Sequence, residues 1–170
     1  MKILRGLTLL AAIIVAACSA PAAVDSTGAG SDASTEKTIF VIRHLQKEQG
    51  EDPSLSSQGA AAAQVLARLL MDKDIQAAFA TPTRRAMETA RPLAERIGVA
   101  VTQYDARHPE ALVAAVAEID GSVLVVGHSN TVPDLVARFG GSPVPQLTEE
   151  DYGTVFVIDS AGQVRELQVE

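Results

Sequence analysis

Cysteine is almost missing from this chain: of 170 residues only Cys18 is one, so no intramolecular disulfide can form. There is no long hydrophobic run either. The most apolar stretch, Leu7 to Ala17, is about 11 residues long, against the roughly 20 that a membrane-spanning helix needs. Positive charge is also short, with 14 Lys and Arg against 21 Asp and Glu and a formal net charge of -7. An acidic body argues against a nucleic-acid partner, because phosphate backbones recruit basic surfaces. No internal repeat is present, and no Cys or His pair has metal-ligand spacing.

What is present begins with a basic start, Lys2 and Arg5, followed by the short apolar run. This is the pattern of a bacterial export signal over residues 1–17. The run closes on Val15-Ala16-Ala17-Cys18, which resembles the lipobox of bacterial lipoproteins. That resemblance implies lipidation of Cys18, a membrane partner through the lipid anchor, and a periplasm-facing location. The alternative is an ordinary cleaved signal with an incidental cysteine. Ser19 follows Cys18, where an Asp would resemble an inner-membrane retention signal, so the outer membrane is the expected address. Residues 18–37 are mostly Ala, Ser, Thr, Gly, Pro and Asp, too poor in large apolar side chains to offset their ordering entropy, and are expected to form a tether. Beyond the signal, 12 basic residues face 21 acidic ones, a charge of about -9.

Residues 38–170 suffice for one compact domain. Strand and helix signals alternate along them, which predicts an α/β fold of three layers, α/β/α, with a largely parallel central sheet. Strands are expected at Thr38–Ile42, Ile75–Ala80, Val99–Tyr104, Ser122–Val126, Thr154–Ile158 and Val164–Val169, the last two as a hairpin. Ser56 is placed to cap a helix through about Met71. Pro82 suits the first turn of a second helix that runs to Ile97 and stops at Gly98. Two more are expected at Pro109–Ile119 and at about Thr131–Phe139, before Gly140-Gly141.

Three short motifs carry the chemistry: Phe40-Val41-Ile42-Arg43-His44, Thr81-Pro82-Thr83-Arg84-Arg85-Ala86, and Val125-Val126-Gly127-His128-Ser129-Asn130. Each puts Arg or His at the end of an apolar run or beside a helix start, at the rim of the sheet. Converging guanidiniums and imidazoles suit a phosphoryl group, since guanidinium forks match phosphate oxygens and an imidazole can act as nucleophile near neutral pH. Taken singly, each has a plainer reading. Arg43-His44 can be a strand-end ion-pair partner, and Arg84-Arg85 a solvated basic face. Cations at a helix start oppose its dipole unless an anion lies near, which sharpens the second motif. A lone His is often structural, yet His128 follows the most apolar strand, at the edge where open α/β sheets hold ligands.

Arg43-His44, Leu55-Ser56 with Gly59, Pro82-Thr83-Arg84-Arg85-Ala86 with Thr89-Ala90, and Gly127-His128 together resemble the histidine phosphatase family of the phosphoglycerate mutase-like superfamily. The resemblance spans about Thr38 to Val169. It implies a mutase-like fold and a metal-independent phosphatase acting on a small phosphorylated substrate, with no cofactor. It further implies that His44 is the nucleophile, that Arg43 and Arg85 bind the phosphoryl oxygens, and that His128 completes the pocket. Arg85 rather than Arg84 matches the arginine preceding the family's Ala, leaving Arg84 at the rim. Nearby guanidiniums disfavour a charged imidazole, so His44 is expected to be neutral. A zinc site on His44, His108 and His128 is the weaker alternative, because arginines beside His44 repel the ion.

Two departures stand out. Leu45 and Gln46 occupy positions where a small residue, and often an acidic one, is usual in the family. Only 43 positions separate Arg85 from His128, too few for the insertion that covers the site in mutases, and no family Glu motif lies there. Asp105 is the expected leaving-group acid, with Glu48 and Glu110 behind it; the plainer reading of Asp105 is a turn or capping carboxylate. A noncatalytic phosphate-binding protein and a phosphohistidine-protein phosphatase remain as alternative functions.

Overall fold

The computed structural model describes residues 36–169. The expected signal, Cys18 and nearly all of the expected tether lie outside those residues. Among the described residues no helix is long and apolar enough to cross a membrane.

Six strands and four helices alternate: β1 (Ile39–Arg43), α1 (Ser57–Leu70), β2 (Ile75–Ala80), α2 (Arg84–Ile97), β3 (Val101–Gln103), α3 (Pro109–Ala117), β4 (Ser122–Gly127), α4 (Val132–Arg138), β5 (Thr154–Ile158) and β6 (Val164–Gln168). They form one sheet in the order β3-β2-β4-β1-β5-β6. β3, β2, β4 and β1 are mutually parallel, and β5 and β6 close the sheet as an antiparallel hairpin beside β1. Every residue of β4 is buried, as befits a central strand covered on both faces, where an unbroken apolar run replaces polar alternation.

The side chains of the central strands divide by parity into two cores. Phe40, Ile42, Leu124, Val126, Val155 and Val157 pack with α1 and α2, through residues such as Leu66, Leu70, Ala90 and Leu93. Val41, Val123, Val125, Phe156 and Ile158 point the other way, to Leu112 and Val116 of α3 and Leu135 and Val136 of α4. This is the expected three-layer α/β/α arrangement.

Ser56 caps α1 as expected, its hydroxyl accepting from the Gly59 amide at 3.1 Å. Gly59 has a second, steric reason: a Cβ there would lie 2.0 Å from the Gln46 carbonyl oxygen, which also accepts from the Ser56 amide at 2.9 Å. The start of α1 is thereby pressed onto the segment just after His44. α2 ends at Gly98, whose φ of 76° gives the left-handed cap that glycine adopts without strain.

Several boundaries differ from expectation, α3 for one ending at Ala117 and not at Ile119. α2 starts at Arg84, with Thr83 in an extended conformation and Pro82 outside the helix. Asp52 reaches across from the loop before α1 and accepts from the Arg84 amide at 3.0 Å, supplying the cap that Thr83 does not. β3 is shorter than expected because it pairs only with β2, which ends at Ala80 opposite Gln103. Lys37, expected to end the tether, is bound to the domain: its ammonium donates to the Val116 and Ile119 carbonyls at 2.5 and 2.8 Å, satisfying orphan acceptors at the end of α3.

Candidate active site

Register puts the two motif histidines side by side. Arg43, the last residue of β1, pairs with Gly127, the last of β4, so His44 and His128 each stand one residue beyond neighbouring parallel strands. The His44 amide donates to the Gly127 carbonyl at 2.9 Å, and the two rings meet edge to face with centroids 5.3 Å apart. With Lys47, Arg85, Ser129, Asn130 and Glu149 they line an open cavity of about 310 Å³.

His44 is buried, and its Nδ1 lies 2.9 Å from the Leu45 carbonyl oxygen. A carbonyl only accepts, so Nδ1 carries the proton and Nε2 keeps a free lone pair. Burial brings the imidazole from its usual 6.5 down to about 4; the carbonyl contact works against that, and the charges of Arg43, His128 and Arg85 add to it. His44 is thus neutral, as expected from the sequence, with burial a larger cause than the guanidiniums. His128 is brought down to about 4 in the same way, by burial first and then by Arg85 and Arg43. Its Nε2 lies 2.9 Å from the buried Thr81 hydroxyl, which fixes the ring.

Leu45 replaces the family's small residue without disturbing this arrangement, because its side chain is fully buried against α1 and α2. Its amide donates to the Thr89 hydroxyl at 3.1 Å, and that hydroxyl donates to the Arg85 carbonyl at 2.8 Å. Thr89 therefore ties the helix carrying Arg85 to the chain just after His44.

The two expected phosphate arginines differ in their surroundings. The Arg85 side chain is 19% exposed and has one ion-pair partner, Asp52, at 3.5 Å. Part of the anion sought at this helix start is thus a carboxylate of the chain itself. The buried Nε of Arg85 has no partner and remains available for an anionic oxygen. Arg84 is exposed and absent from the cavity lining. Arg43 is buried and gripped by the segment before β5: Nη1 donates to the Thr148 carbonyl at 2.6 Å and that of Asp151 at 3.3 Å, and Nη2 donates to Glu149 and the Tyr152 hydroxyl, each at 3.1 Å. Its guanidinium carbon lies 4.0 Å from the centre of the Tyr152 ring. Only Nε is left unpartnered.

The structure does not bring Asp105 into the cavity. β3 stops at Gln103, Tyr104 turns inward so that its hydroxyl donates to the Val126 carbonyl, and Asp105 is left facing out. There it pairs with Arg107 at 2.6 Å, whose hydrogen bonds hold its carboxyl far below the usual range. Asp105 lines a different hollow, with Phe79 and His108. Glu48 is exposed and Glu110 pairs with His108 at 3.2 Å, and neither lines the cavity. His108 likewise stands apart from His44 and His128, and among the described residues no His, Cys, Asp and Glu group is arranged to hold a metal.

Lys47, Glu149 and Tyr152 escaped sequence reasoning. Glu149 sits in the run Thr148-Glu149-Glu150-Asp151, which has no periodicity and no motif to separate it from a solvated acidic loop. In the structure its carboxylate bridges Arg43 and the Ser129 hydroxyl, the latter at 3.0 Å.

A sheet of this order, with paired histidines beyond its central strands, defines a phosphoglycerate mutase-like fold, and comparison with solved structures agrees. SixA, in complex with tungstate, aligns with a TM-score of 0.59 at 20% identity over 76% of this chain and 94% of its own. Mycobacterial glucosyl-3-phosphoglycerate phosphatase Rv2419c aligns with a TM-score of 0.61 at 18% identity, over 77% and 97%. At these identities the likeness is one of fold. Residues 39–108 match the model of the histidine phosphatase superfamily (branch 1). Uncharacterized protein Rv0525 of Mycobacterium tuberculosis is 51% identical over 74 residues, a match covering 39% of this chain and only 37% of that relative's length.

Proposed function

We propose that this chain is a metal-independent phosphatase that hydrolyses a small phosphomonoester through a phosphohistidine on His44. The observation that carries this reading is the state of His44: buried, neutral, with Nδ1 occupied by the Leu45 carbonyl and Nε2 free, beside His128 and Arg85 in one cavity. A neutral imidazole among fixed cations is a nucleophile already placed for a phosphoryl group, and the cations meet the charge of the transferring oxygens without reorganisation. Covalent catalysis then divides hydrolysis into phosphorylation and dephosphorylation of the same nitrogen.

The test is a phosphate-release screen of phosphorylated metabolites with the purified protein, in chelator, together with phosphodonor labelling. Acid-labile, base-stable labelling is expected in the wild type and absent from His44→Ala, with turnover falling roughly a thousandfold or more. Release by a folded His44→Ala near the wild-type rate removes His44 as nucleophile. Phosphate binding without release from any substrate establishes the noncatalytic alternative.

The openness of the cavity favours a second reading, hydrolysis of a phosphohistidine on a protein, since the interval between Arg85 and His128 is taken up by the rest of α2, β3, α3 and β4 and contributes no residue to the cavity lining. A phosphohistidine protein in the same screen decides between them. Lipidation of Cys18 and an outer-membrane, periplasm-facing location belong to the same proposal; loss of fatty-acid labelling in Cys18→Ala is the expected outcome.

A further inference from the structure

With Asp105 facing away, the expected acid is absent from the cavity, and Glu149 is the one carboxylate that lines it beside His44 and His128. Its side chain is 74% exposed, so it can move without disturbing the core. Its two partners, Arg43 Nη2 and the Ser129 hydroxyl, are donors of the kind a phosphoryl group seeks. The other contacts of Arg43 are backbone carbonyls and a phenol that hold the 148–152 segment in place. Of the groups now on Arg43, the Glu149 carboxylate is therefore the one a substrate can displace while the segment stays folded. Displacement would free Nη2 next to the unpartnered Nε, making the two-donor edge that guanidinium offers to phosphate.

Resting on the phosphatase reading above, we propose that Glu149 is the catalytic acid and base of this site, held by Arg43 and Ser129 until the phosphoryl group takes its place. In the free protein those contacts keep its carboxyl below the usual range, with Lys47 and His44 adding to the effect. Once phosphoryl oxygens occupy Arg43, the carboxylate has lost its cation and gained anionic neighbours, both of which favour uptake of a proton from solvent. In the first step the His44 Nε2 lone pair forms the N–P bond, the P–O bond to the leaving group breaks, and that oxygen takes the Glu149 proton to leave as an alcohol. In the second, a water oxygen attacks phosphorus, Glu149 accepts its proton, the N–P bond breaks, and inorganic phosphate and neutral His44 are restored.

The test compares wild type, Glu149→Gln, Glu149→Asp and Asp105→Asn on an alkyl phosphate, glycerol 2-phosphate, and an activated aryl phosphate, 4-nitrophenyl phosphate. Glu149→Gln is expected to slow the alkyl substrate roughly a hundredfold and the aryl substrate, whose leaving group needs little protonation, by less than about tenfold. Glu149→Asp, which retains a carboxyl, should recover part of the alkyl rate. Vanadate should bind Glu149→Gln more tightly than wild type, because a competing anion has gone. Equal losses on both substrates, no loss on either, or a selective alkyl loss in Asp105→Asn instead, overturn the proposal while leaving the phosphatase reading standing. A wild type that releases phosphate from neither substrate, nor from the metabolite screen, overturns both.

Discussion

The cavity has two walls of different construction. His44 and His128 extend from β1 and β4, and their relation follows from a ladder running from Ile39↔Val123 to Arg43↔Gly127. To separate them the register would have to slip, turning every side chain of a strand buried on both faces. The opposite wall, the 148–152 segment, belongs to no strand or helix. Its connection to the site is mostly a set of contacts converging on a single guanidinium, that of Arg43, with one more from the Ser129 hydroxyl to Glu149. One wall is thus fixed by the whole sheet and the other chiefly by one side chain. In the reaction proposed above, this would put rigid groups where bond making demands a fixed nucleophile and a displaceable carboxylate on the facing wall.

Arg43 joins the two walls, and its loss is the strongest test of the contrast. Arg43→Ala is expected to cost about 3 kcal/mol or more, because it leaves the Thr148 and Asp151 carbonyls without their donor and opens a space under Tyr152. Denaturant unfolding reads the loss, and faster proteolysis within 148–152 than in wild type would locate it. Arg43→Lys should restore little, since an ammonium cannot reproduce the planar fork. If Arg43→Ala is as stable as wild type, the segment is held by something other than this guanidinium.

The helix-start arginines give the next effect in size. Arg85→Ala is expected to weaken vanadate binding by about 1.5–3 kcal/mol, the worth of a hydrogen bond to a charged group, with less effect on stability than Arg43→Ala. Arg84 is exposed and outside the cavity, so Arg84→Ala should cost only a fraction of 1 kcal/mol in binding. Equal losses from the two would show that the site reaches further along α2 than the cavity lining indicates.

The smallest effects concern the rigid wall and pH. Both histidines have folded values of about 4, below the ordinary 6.5, so the unfolded chain binds protons more readily than the native one. The neutral forms favour folding, and their contribution is complete above about pH 6.5 and is lost as pH falls from there to about 4. Glu149 and Asp151, both held below the usual carboxylate range, add a further loss in acid. The acid limb of kcat/KM, which reports free-enzyme groups, should therefore fall near pH 4 for His44 instead of near 6.5. A limb near 6.5 would mean that His44 is far more hydrated than its burial implies.

Apolar runs, turn residues and caps determined most of the architecture by themselves. β2 occupies the expected Ile75–Ala80, the Ser56 cap and Gly98 stop stand where their chemistry puts them, and the unbroken apolar run of β4 marks a central strand. Those signals are local, since a cap needs only its own turn and a buried strand only its own residues. They also placed His44, His128 and Arg85 at the sheet rim, and the family resemblance gave these residues their expected roles.

Tertiary structure decided what depends on distant partners. Asp52 caps α2 from 32 positions away, and Arg43 finds its partners more than 100 positions along the chain. Which carboxylate lies beside His44 turned on the end of β3: once Tyr104 is drawn inward, Asp105 points out, and Glu149 from an unpatterned loop lines the cavity instead. No periodicity encodes such a choice. It follows from where one strand's ladder runs out and from which loop a buried guanidinium can hold.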